Sequence, residues 1–167
     1  MNLLRATPGS VLWLLADNRW ATDNLTREAQ HHGIDPSRLI FAPKVSLAEH
    51  LARYSVADLA LDTFPYGSHT TASDALWSGC LLVGLCGETF AARVSGSILS
   101  ACNLAELIAY TLEDYERLAL RLATDESFRD TLRTKLETNK RGAPLFDSVA
   151  FTRDLEQLYS ELVEKKE

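Results

Sequence analysis

Cysteines, basic residues and long apolar runs are all scarce in this sequence. Its three cysteines, Cys80, Cys86 and Cys102, are odd in number and lack CxxC spacing, which argues against a disulfide framework and against a zinc site. We expect them to be small core residues of a protein in a reducing, cytoplasmic compartment. The 17 Lys and Arg residues are outnumbered by 23 Asp and Glu, and the net charge of −6 disfavours binding to nucleic acid or to an anionic membrane surface.

The apolar run that comes nearest to a signal peptide or a membrane span is Val11 to Ala16, which ends before Asp17. A transmembrane helix needs about 20 apolar residues, so we expect no membrane partner and interpret this run as a buried strand. The chain has 167 residues, of which 46% are hydrophobic and 24% are charged, the balance of an ordinary globular protein. That length predicts one domain with a continuous core.

Short apolar runs alternate with helical patterns over residues 10–102. The runs predict strands at Val11–Ala16, Leu39–Phe41, Ala57–Asp62 and Leu81–Leu85, and the patterns between and after them predict helices over 21–32, 46–54, 70–77 and 89–100. Continuous apolar runs are typical of strands buried on both faces. The order therefore predicts an α/β fold with a Rossmann-like, doubly wound parallel sheet.

The pattern becomes mainly helical over residues 103–167, apart from a possible short strand at Leu107–Ala109. Three apolar stripes at helical spacing are expected to face the core. They consist of Tyr115, Leu118 and Leu122; of Phe128, Leu132 and Leu136; and of Phe151, Leu155, Leu158 and Leu162. We expect one domain over 1–167 with extra C-terminal helices, and we interpret Trp13, Trp20 and Trp77 as core or interface packing.

The loop after the third predicted strand carries the most informative residues. Ligands of open parallel sheets bind beyond the carboxyl ends of the strands. After this strand come a Gly-Ser turn and then His69, Thr70 and Thr71, which open a helix. An imidazole, two hydroxyls and the free N–H groups of a helix N-terminus form an anion site suited to a diphosphate.

A purely structural interpretation of the same residues is also open. Thr71 would be the N-cap of the helix, and Asp74, three residues later, would complete a capping box that needs no ligand. His69 is not needed for capping and favours the ligand interpretation, although an ordinary surface histidine fits the position as well.

Several spaced motifs resemble the C-terminal catalytic lobe of the protein O-GlcNAc transferases. These motifs are Ala57–Thr63, Gly67–Thr71, Asp74–Gly79 and Gly87–Val94. They occur in the family's order, and the likeness extends from the Ser10 strand to the final helix, nearly the whole chain. The resemblance implies one lobe of a GT-B glycosyltransferase, in which two Rossmann-like lobes face each other and the C-terminal lobe holds the UDP part of the donor.

The resemblance also implies roles for the residues of this loop. His69, Thr70 and Thr71 would contact the diphosphate of the donor. The Asp74 carboxylate would accept hydrogen bonds from the ribose hydroxyls, as the acidic residue of dinucleotide-binding folds does. Thr89 lies in the Gly-Glu-Thr turn that follows the next strand, and its simplest interpretation is as the N-cap of the next helix.

A second group of residues precedes the third strand. In the resembling family, a His like His50 stacks on uracil, an Arg like Arg53 lies nearby, and the backbone at the position of Val45 reads the uracil edge. His50 and Arg53 are three residues apart, so they share one helix face. Without the resemblance, His50 would be interpreted as a surface residue of a helix.

The sequence departs from the family pattern in two ways. The family has a Lys three residues before the uracil-stacking His, whereas this sequence has Leu47, and Lys44 is out of register. Weaker donor binding or a different donor is expected from that change. The family also has a Gln and a phosphate-binding Lys upstream of the Ser10 strand, and an N-terminal lobe preceded by tetratricopeptide repeats. This sequence starts after the positions expected for them, so we expect an excised domain or truncated product that is inactive alone.

The resemblance implies an inverting, metal-independent transfer of GlcNAc from UDP-GlcNAc to Ser or Thr hydroxyls of proteins. No cofactor is expected, no metal site is predicted, and no catalytic residue is assigned within this chain. The expected partners are the UDP-sugar donor, a protein acceptor and the N-terminal lobe with its repeats. A related glucosyl- or N-glycosyltransferase lobe, or a noncatalytic nucleotide-sugar-binding or interaction module, remains an alternative.

Overall fold

Helices and short strands alternate along the chain in the computed structural model, which describes residues 1–164. These residues contain five strands, β1 (Leu12–Leu15), β2 (Leu39–Ala42), β3 (Ala60–Leu61), β4 (Leu82–Leu85) and β5 (Ile108–Ala109). They also contain eight α-helices, α1 (Asn2–Ala6), α2 (Arg19–His31), α3 (Leu47–Arg53), α4 (Thr70–Trp77), α5 (Phe90–Ala101), α6 (Leu112–Thr124), α7 (Glu126–Asn139) and α8 (Ser148–Glu164). None of these helices combines the length and apolarity that crossing a membrane requires.

All paired strands are parallel, which confirms the predicted α/β class. β1 pairs with β2 from Leu12↔Leu39 to Leu15↔Ala42. β4 lies between β3 and β5, and a helix connects each strand to its parallel neighbour. Backbone hydrogen bonds therefore join the strands in two groups, β1-β2 and β3-β4-β5.

The main core surrounds β4, whose residues Leu82 and Val83 are fully enclosed. Helices α4 to α7 contribute many of the other buried side chains, among them Leu76, Leu99, Leu122 and Leu136. Fully burying such an aliphatic side chain contributes about 1.5–3 kcal/mol. A smaller cluster of Leu4, Ala29, Ile34 and Leu39 lies beneath β2.

Side-chain caps explain where most of the helices begin. Asn18, Thr89, Thr111 and Asp125 each accept a hydrogen bond from a backbone N–H in the first turn of α2, α5, α6 and α7. Ser46 and Glu49 form a reciprocal capping box at α3. The structure confirms Thr89 as an N-cap, and α4 differs from these helices because no side chain caps its first turn.

Three sequence expectations about burial were wrong. The apolar stripe of α8 was expected to face the core, but Phe151, Leu158 and Leu162 are 64%, 55% and 59% exposed. Trp13, Trp20 and Trp77 were interpreted as packing residues, and all three are exposed, so the core interpretation fails. β1 is not buried on both faces, because its side chains alternate between partly buried and exposed. Helical or strand periodicity shows that a face is apolar but does not show what covers it.

We expect Leu122→Ala to lower the free energy of unfolding by about 2–5 kcal/mol, because it removes buried volume from α6. Leu158→Ala removes the same atoms from an exposed position of α8 and should change stability by less than about 0.5 kcal/mol. Urea unfolding followed by circular dichroism measures both. Equal losses in the two variants would contradict this description of the core.

Candidate functional site

The candidate site is formed by the loops that follow β3 and β4, together with α3. The Gly67 N–H donates to the Ala91 carbonyl over 3.0 Å, which joins the β3–α4 loop to the start of α5. The Tyr54 hydroxyl lies 3.4 Å from the Thr71 carbonyl, which joins the end of α3 to α4. The structure thus brings together the two residue groups that the sequence pointed to.

Asp62, at the end of β3, holds the loop in place. Its side chain is almost completely buried, with 4% of the residue exposed. One carboxylate oxygen accepts hydrogen bonds from the N–H groups of Thr63 at 2.9 Å and Ser68 at 2.6 Å. The other accepts from the Leu85 N–H at 3.2 Å and from the Ser95 hydroxyl at 2.5 Å. Both oxygens are therefore satisfied, as a buried carboxylate requires.

Tyr115 connects α6 to the same point. Its hydroxyl donates to the Asp62 backbone carbonyl over 2.8 Å, and the residue is buried. Burial raises the pKa of Tyr115, and the nearby Asp62 charge raises it further, so the hydroxyl stays a donor at neutral pH. The link fixes the end of β3 against α6.

The first turn of α4 presents free backbone donors. His69 occupies the N-cap position, and its carbonyl accepts from the N–H groups of Ala72 and Ser73. Within the part of the chain that the structure describes, the N–H groups of Thr70 and Thr71 form no hydrogen bond. The positive end of the helix therefore points towards this loop without a side-chain cap.

The capping-box interpretation of Thr71 and Asp74 is wrong. The helix starts at Thr70, so Thr71 already lies inside the first turn and is not the N-cap. A hydroxyl at that position does not face the N–H group three residues later, which is the geometry a capping box needs. Asp74, half-buried in the second turn, makes no hydrogen bond through its carboxylate within residues 1–164.

His69 lies against two aromatic rings. The Tyr66 ring is stacked on the imidazole, with ring centroids 4.9 Å apart, and the Phe90 ring meets it edge-on at 6.3 Å. Its Nε2 atom lies 3.4 Å from the Ala91 carbonyl. His69 is thus half-buried at the junction of α4 and α5.

The second group of residues lies along α3. The rings of His50 and Tyr54 meet edge-on, with centroids 5.2 Å apart. Arg53 donates to the Pro43 carbonyl over 2.8 Å, and its guanidinium lies 5.8 Å from the centre of the Trp13 ring. Val45 follows Pro43 in the same segment, and its backbone N–H and C=O form no hydrogen bond within the described residues.

Tyr54 connects this group to α4. Burial raises the pKa of Tyr54, and the charge of Asp74 adds to the effect. The Asp74 charge therefore lies close enough to α3 to act on the Tyr54 hydroxyl. Tyr54 thus relates the two groups of residues beside the loop after β3. It contacts the His50 ring and the Thr71 carbonyl, and it is affected by the Asp74 charge.

The position where the family has a cation is apolar and exposed. Leu47, in the first turn of α3, is 68% exposed. Lys44 lies 4.0 Å from Asp17, in a solvent-exposed ion pair. Among residues 1–164, no three His, Cys, Asp or Glu side chains lie close enough to form a metal site.

Two of the three cysteines are buried core residues. All are free thiols; Cys80 and Cys102 are buried, as expected, and Cys86 is half-buried. Burial raises the pKa of both Cys80 and Cys102 to about 11, so their thiols are protonated and unreactive at neutral pH.

Comparison with known proteins identifies the family. The sequence model described as glycosyl transferase family 41 matches residues 1–155. The chain belongs to this glycosyltransferase family. The structure of an O-GlcNAc transferase mutant from Thermobaculum terrenum is similar over 95% of this chain and 31% of that one, with a TM-score of 0.89 and 33% identity. The match confirms the predicted lobe of a GT-B glycosyltransferase.

Curated relatives of this family-41 chain are peptide N-acetylglucosaminyltransferases by name. The UDP-N-acetylglucosamine--peptide N-acetylglucosaminyltransferase of Caenorhabditis elegans is 33% identical over 100% of this chain and 14% of its own length. A probable enzyme of the same name from Arabidopsis thaliana, SEC, is 34% identical over 95% of this chain and 16% of its own length. The chain therefore spans about a sixth or less of the length of these relatives.

Several residues that shape the site were not assigned a role from the sequence. Asp62 lies in the Ala57–Thr63 motif. Its position as a carboxylate at the end of an apolar strand was the sequence feature that could have indicated its role. Ser95 and Tyr115 gave no such signal, because their contacts with Asp62 span 33 and 53 positions. The sequence patterns assigned no role to Tyr54, at the end of a predicted helix, or to Tyr66, in the loop after the third predicted strand.

We expect Asp62→Ala to lower the free energy of unfolding by at least about 3 kcal/mol, because it leaves three N–H groups and one hydroxyl without their buried acceptor. The matched control is Asp58→Ala. Asp58 is exposed and forms a surface ion pair with Arg133 at 3.6 Å, which contributes at most about 1 kcal/mol. Urea unfolding of both variants tests the difference, and similar midpoints would contradict a central role for Asp62.

Proposed function

We propose that this chain is the UDP-sugar-binding lobe of an enzyme that transfers GlcNAc from UDP-GlcNAc to Ser or Thr hydroxyls of proteins. Relatives that match along its whole length carry peptide N-acetylglucosaminyltransferase activity in their names. The observation that carries the proposal is the uncapped start of α4, where the free N–H groups of Thr70 and Thr71 lie next to His69. Helix N-termini of this kind bind phosphate groups.

On the phosphate side, we assign His69, Thr70 and Thr71 to the diphosphate of UDP. The two backbone N–H groups and the two hydroxyls supply four donors in one helical turn. The imidazole adds a fifth donor, or a positive charge when protonated. Support comes from the lack of competing protein partners for these N–H groups in the described residues.

On the nucleoside side, we assign Asp74 to the ribose hydroxyls and His50 to stacking on uracil. The Asp74 carboxylate has no hydrogen-bond donor within residues 1–164, so its oxygens are available to ribose. The contact of His50 with Tyr54 is edge-on, and among the described residues no protein ring is stacked parallel on His50, which is compatible with stacking on a base. Val45 offers a free backbone N–H and C=O for the base edge, and Arg53 supports that segment by its hydrogen bond to Pro43.

The chemical contribution of this lobe is stabilisation of the leaving group. When the sugar leaves UDP, negative charge grows on the diphosphate, next to the positive end of α4. We propose that the transfer inverts the sugar carbon and needs no metal. We assign no catalytic residue to this chain and propose that the general base and acceptor groove belong to a second lobe, with tetratricopeptide repeats, in a cytoplasmic enzyme.

The identity of the sugar is the least constrained part of this proposal, because UDP-binding residues do not contact it. A glucosyl- or N-glycosyltransferase lobe uses the same UDP contacts, and the apolar Leu47 favours testing such donors. A noncatalytic module would bind the nucleotide sugar with no transfer. Because the UDP site does not distinguish these sugars, a comparison of turnover with UDP-GlcNAc and UDP-glucose in the full-length protein separates the alternatives.

We expect His69→Ala to weaken UDP binding about tenfold or more, because one hydrogen bond to a charged phosphate is lost. His31→Ala, at an exposed position of α2, is the matched control and should bind UDP like the parent chain. Calorimetric titration, with and without a metal chelator, measures both. Unchanged affinity in His69→Ala would remove its proposed role, and strict metal dependence would contradict the metal-free mechanism.

We expect Leu47→Lys to tighten UDP binding about two- to fivefold, because it places a cation at the exposed start of α3 beside the proposed nucleotide site. Leu158→Lys adds the same charge to α8 and controls for the change in net charge. The gain should shrink with added salt, since exposed charges are screened. Equal gains in the two variants would show that only net charge matters.

A further inference from the structure

The ring of Tyr66 is exposed to solvent, yet one of its faces is stacked on a neighbouring ring. The residue is 64% exposed, so it adds little to the hydrophobic core. Its ring nevertheless lies almost parallel to the His69 imidazole, with an interplanar angle of 20° and centroids 4.9 Å apart. Aromatic rings in this offset arrangement attract each other beyond simple area burial.

The backbone beneath Tyr66 is fixed on both sides. Its carbonyl accepts a hydrogen bond from the Thr63 hydroxyl at 2.7 Å, and the following Gly67 N–H donates to the Ala91 carbonyl at 3.0 Å. A Cβ atom at Gly67 would lie 3.1 Å from that carbonyl, so the close approach favours glycine. The buried Asp62 carboxylate also holds the loop, because it accepts hydrogen bonds from the N–H groups of Thr63 and Ser68. The ring of Tyr66 therefore rests on an anchored backbone.

His69 has no comparable support of its own. The only hydrogen-bond contact of its imidazole within the described residues is the long 3.4 Å approach of Nε2 to the Ala91 carbonyl. Phe90 meets its ring edge-on at 6.3 Å but is itself 76% exposed. A half-buried histidine held this weakly would populate several staggered rotamers. The stacked Tyr66 ring is the contact that selects one of them.

We propose that Tyr66 is a positioning residue that holds the His69 imidazole in the orientation that meets the donor diphosphate. The inference rests on the proposed function, because it takes the role of His69 in UDP binding as given. Ordering a side chain before binding removes that entropic loss from the binding step. Tyr66 thus acts through His69 and makes no contact of its own with the phosphates.

The test compares Tyr66→Leu, Tyr66→Phe and the control Phe64→Leu in calorimetric titrations with UDP. Phe64 is an exposed aromatic residue of the same loop, but its ring contacts Tyr115 at 6.4 Å and not His69. Tyr66→Leu should weaken UDP binding about two- to tenfold, the range expected from loss of one aromatic stack. Tyr66→Phe keeps the stack and, like Phe64→Leu, should stay within about twofold of the parent chain.

A double variant separates this inference from the proposed function. In the His69→Ala background, Tyr66→Leu should cause no further loss, because residues that act through one another are not additive. Full additivity would show that Tyr66 contacts UDP directly and would overturn the inference. If His69→Ala alone leaves UDP binding unchanged, the proposed role of His69 fails instead.

The free protein provides an independent readout. The face of the Tyr66 ring should shift the His69 ring-proton resonances upfield in the NMR spectrum. Tyr66→Leu should remove that shift, and Tyr66→Phe should keep it. An unchanged His69 spectrum in Tyr66→Leu would overturn the positioning role, even if UDP affinity falls.

Discussion

Four hydrogen bonds converge on the buried Asp62 carboxylate, and they come from three separate segments of the chain. Thr63 and Ser68 close the loop after β3, Leu85 ends β4, and Ser95 belongs to α5. A buried carboxylate without such donors would be strongly unfavourable, so the three segments hold one another in a single arrangement. These hydrogen bonds also hold in place the loop that carries Tyr66, Gly67 and His69.

This constraint leaves the first turn of α4 free for another purpose. Neighbouring helices use Asn, Ser, Thr or Asp side chains to satisfy their first N–H groups. Because the Asp62 network fixes the preceding loop, α4 needs no cap to define where it starts. The N–H groups of Thr70 and Thr71, which have no hydrogen-bond partner among residues 1–164, are then available to an anion, and Tyr54 places the His50 ring on the same edge.

Much of the architecture was predictable from the sequence because it depends on local patterns. Apolar runs and caps located the strands and helices, and α4 has the predicted bounds, Thr70 to Trp77. The candidate residues came from motif resemblance together with their place after a strand. The Asp62 network was not predictable, since Ser95 and Tyr115 reach it over long sequence separations. The capping-box alternative fitted the spacing of Thr71 and Asp74 equally well, and only the structure excludes it, because the N-cap position is occupied by His69.

Burial was the other property that local patterns could not determine. Trp20 and the apolar stripe of α8 have the residue types of a core but are exposed in this chain. The same periodicity fits a helix that packs on its own domain and one that packs on another surface. Residue type therefore identified the apolar faces of α6, α7 and α8 correctly, and it predicted burial correctly for α6 and α7 but not for α8.

The exposed stripe of α8 has a consequence for how this chain behaves in concentrated solution. Beside the stripe, α8 carries four carboxylates, Asp154, Glu156, Glu161 and Glu164, against the single guanidinium of Arg153. At low ionic strength, these like charges are expected to repel each other when the α8 helices of two copies approach. Salt screens that repulsion beyond about 10 Å at 0.1 M but leaves the apolar attraction intact. Added salt is therefore expected to reduce the colloidal stability of the chain, although salt weakens most electrostatic associations.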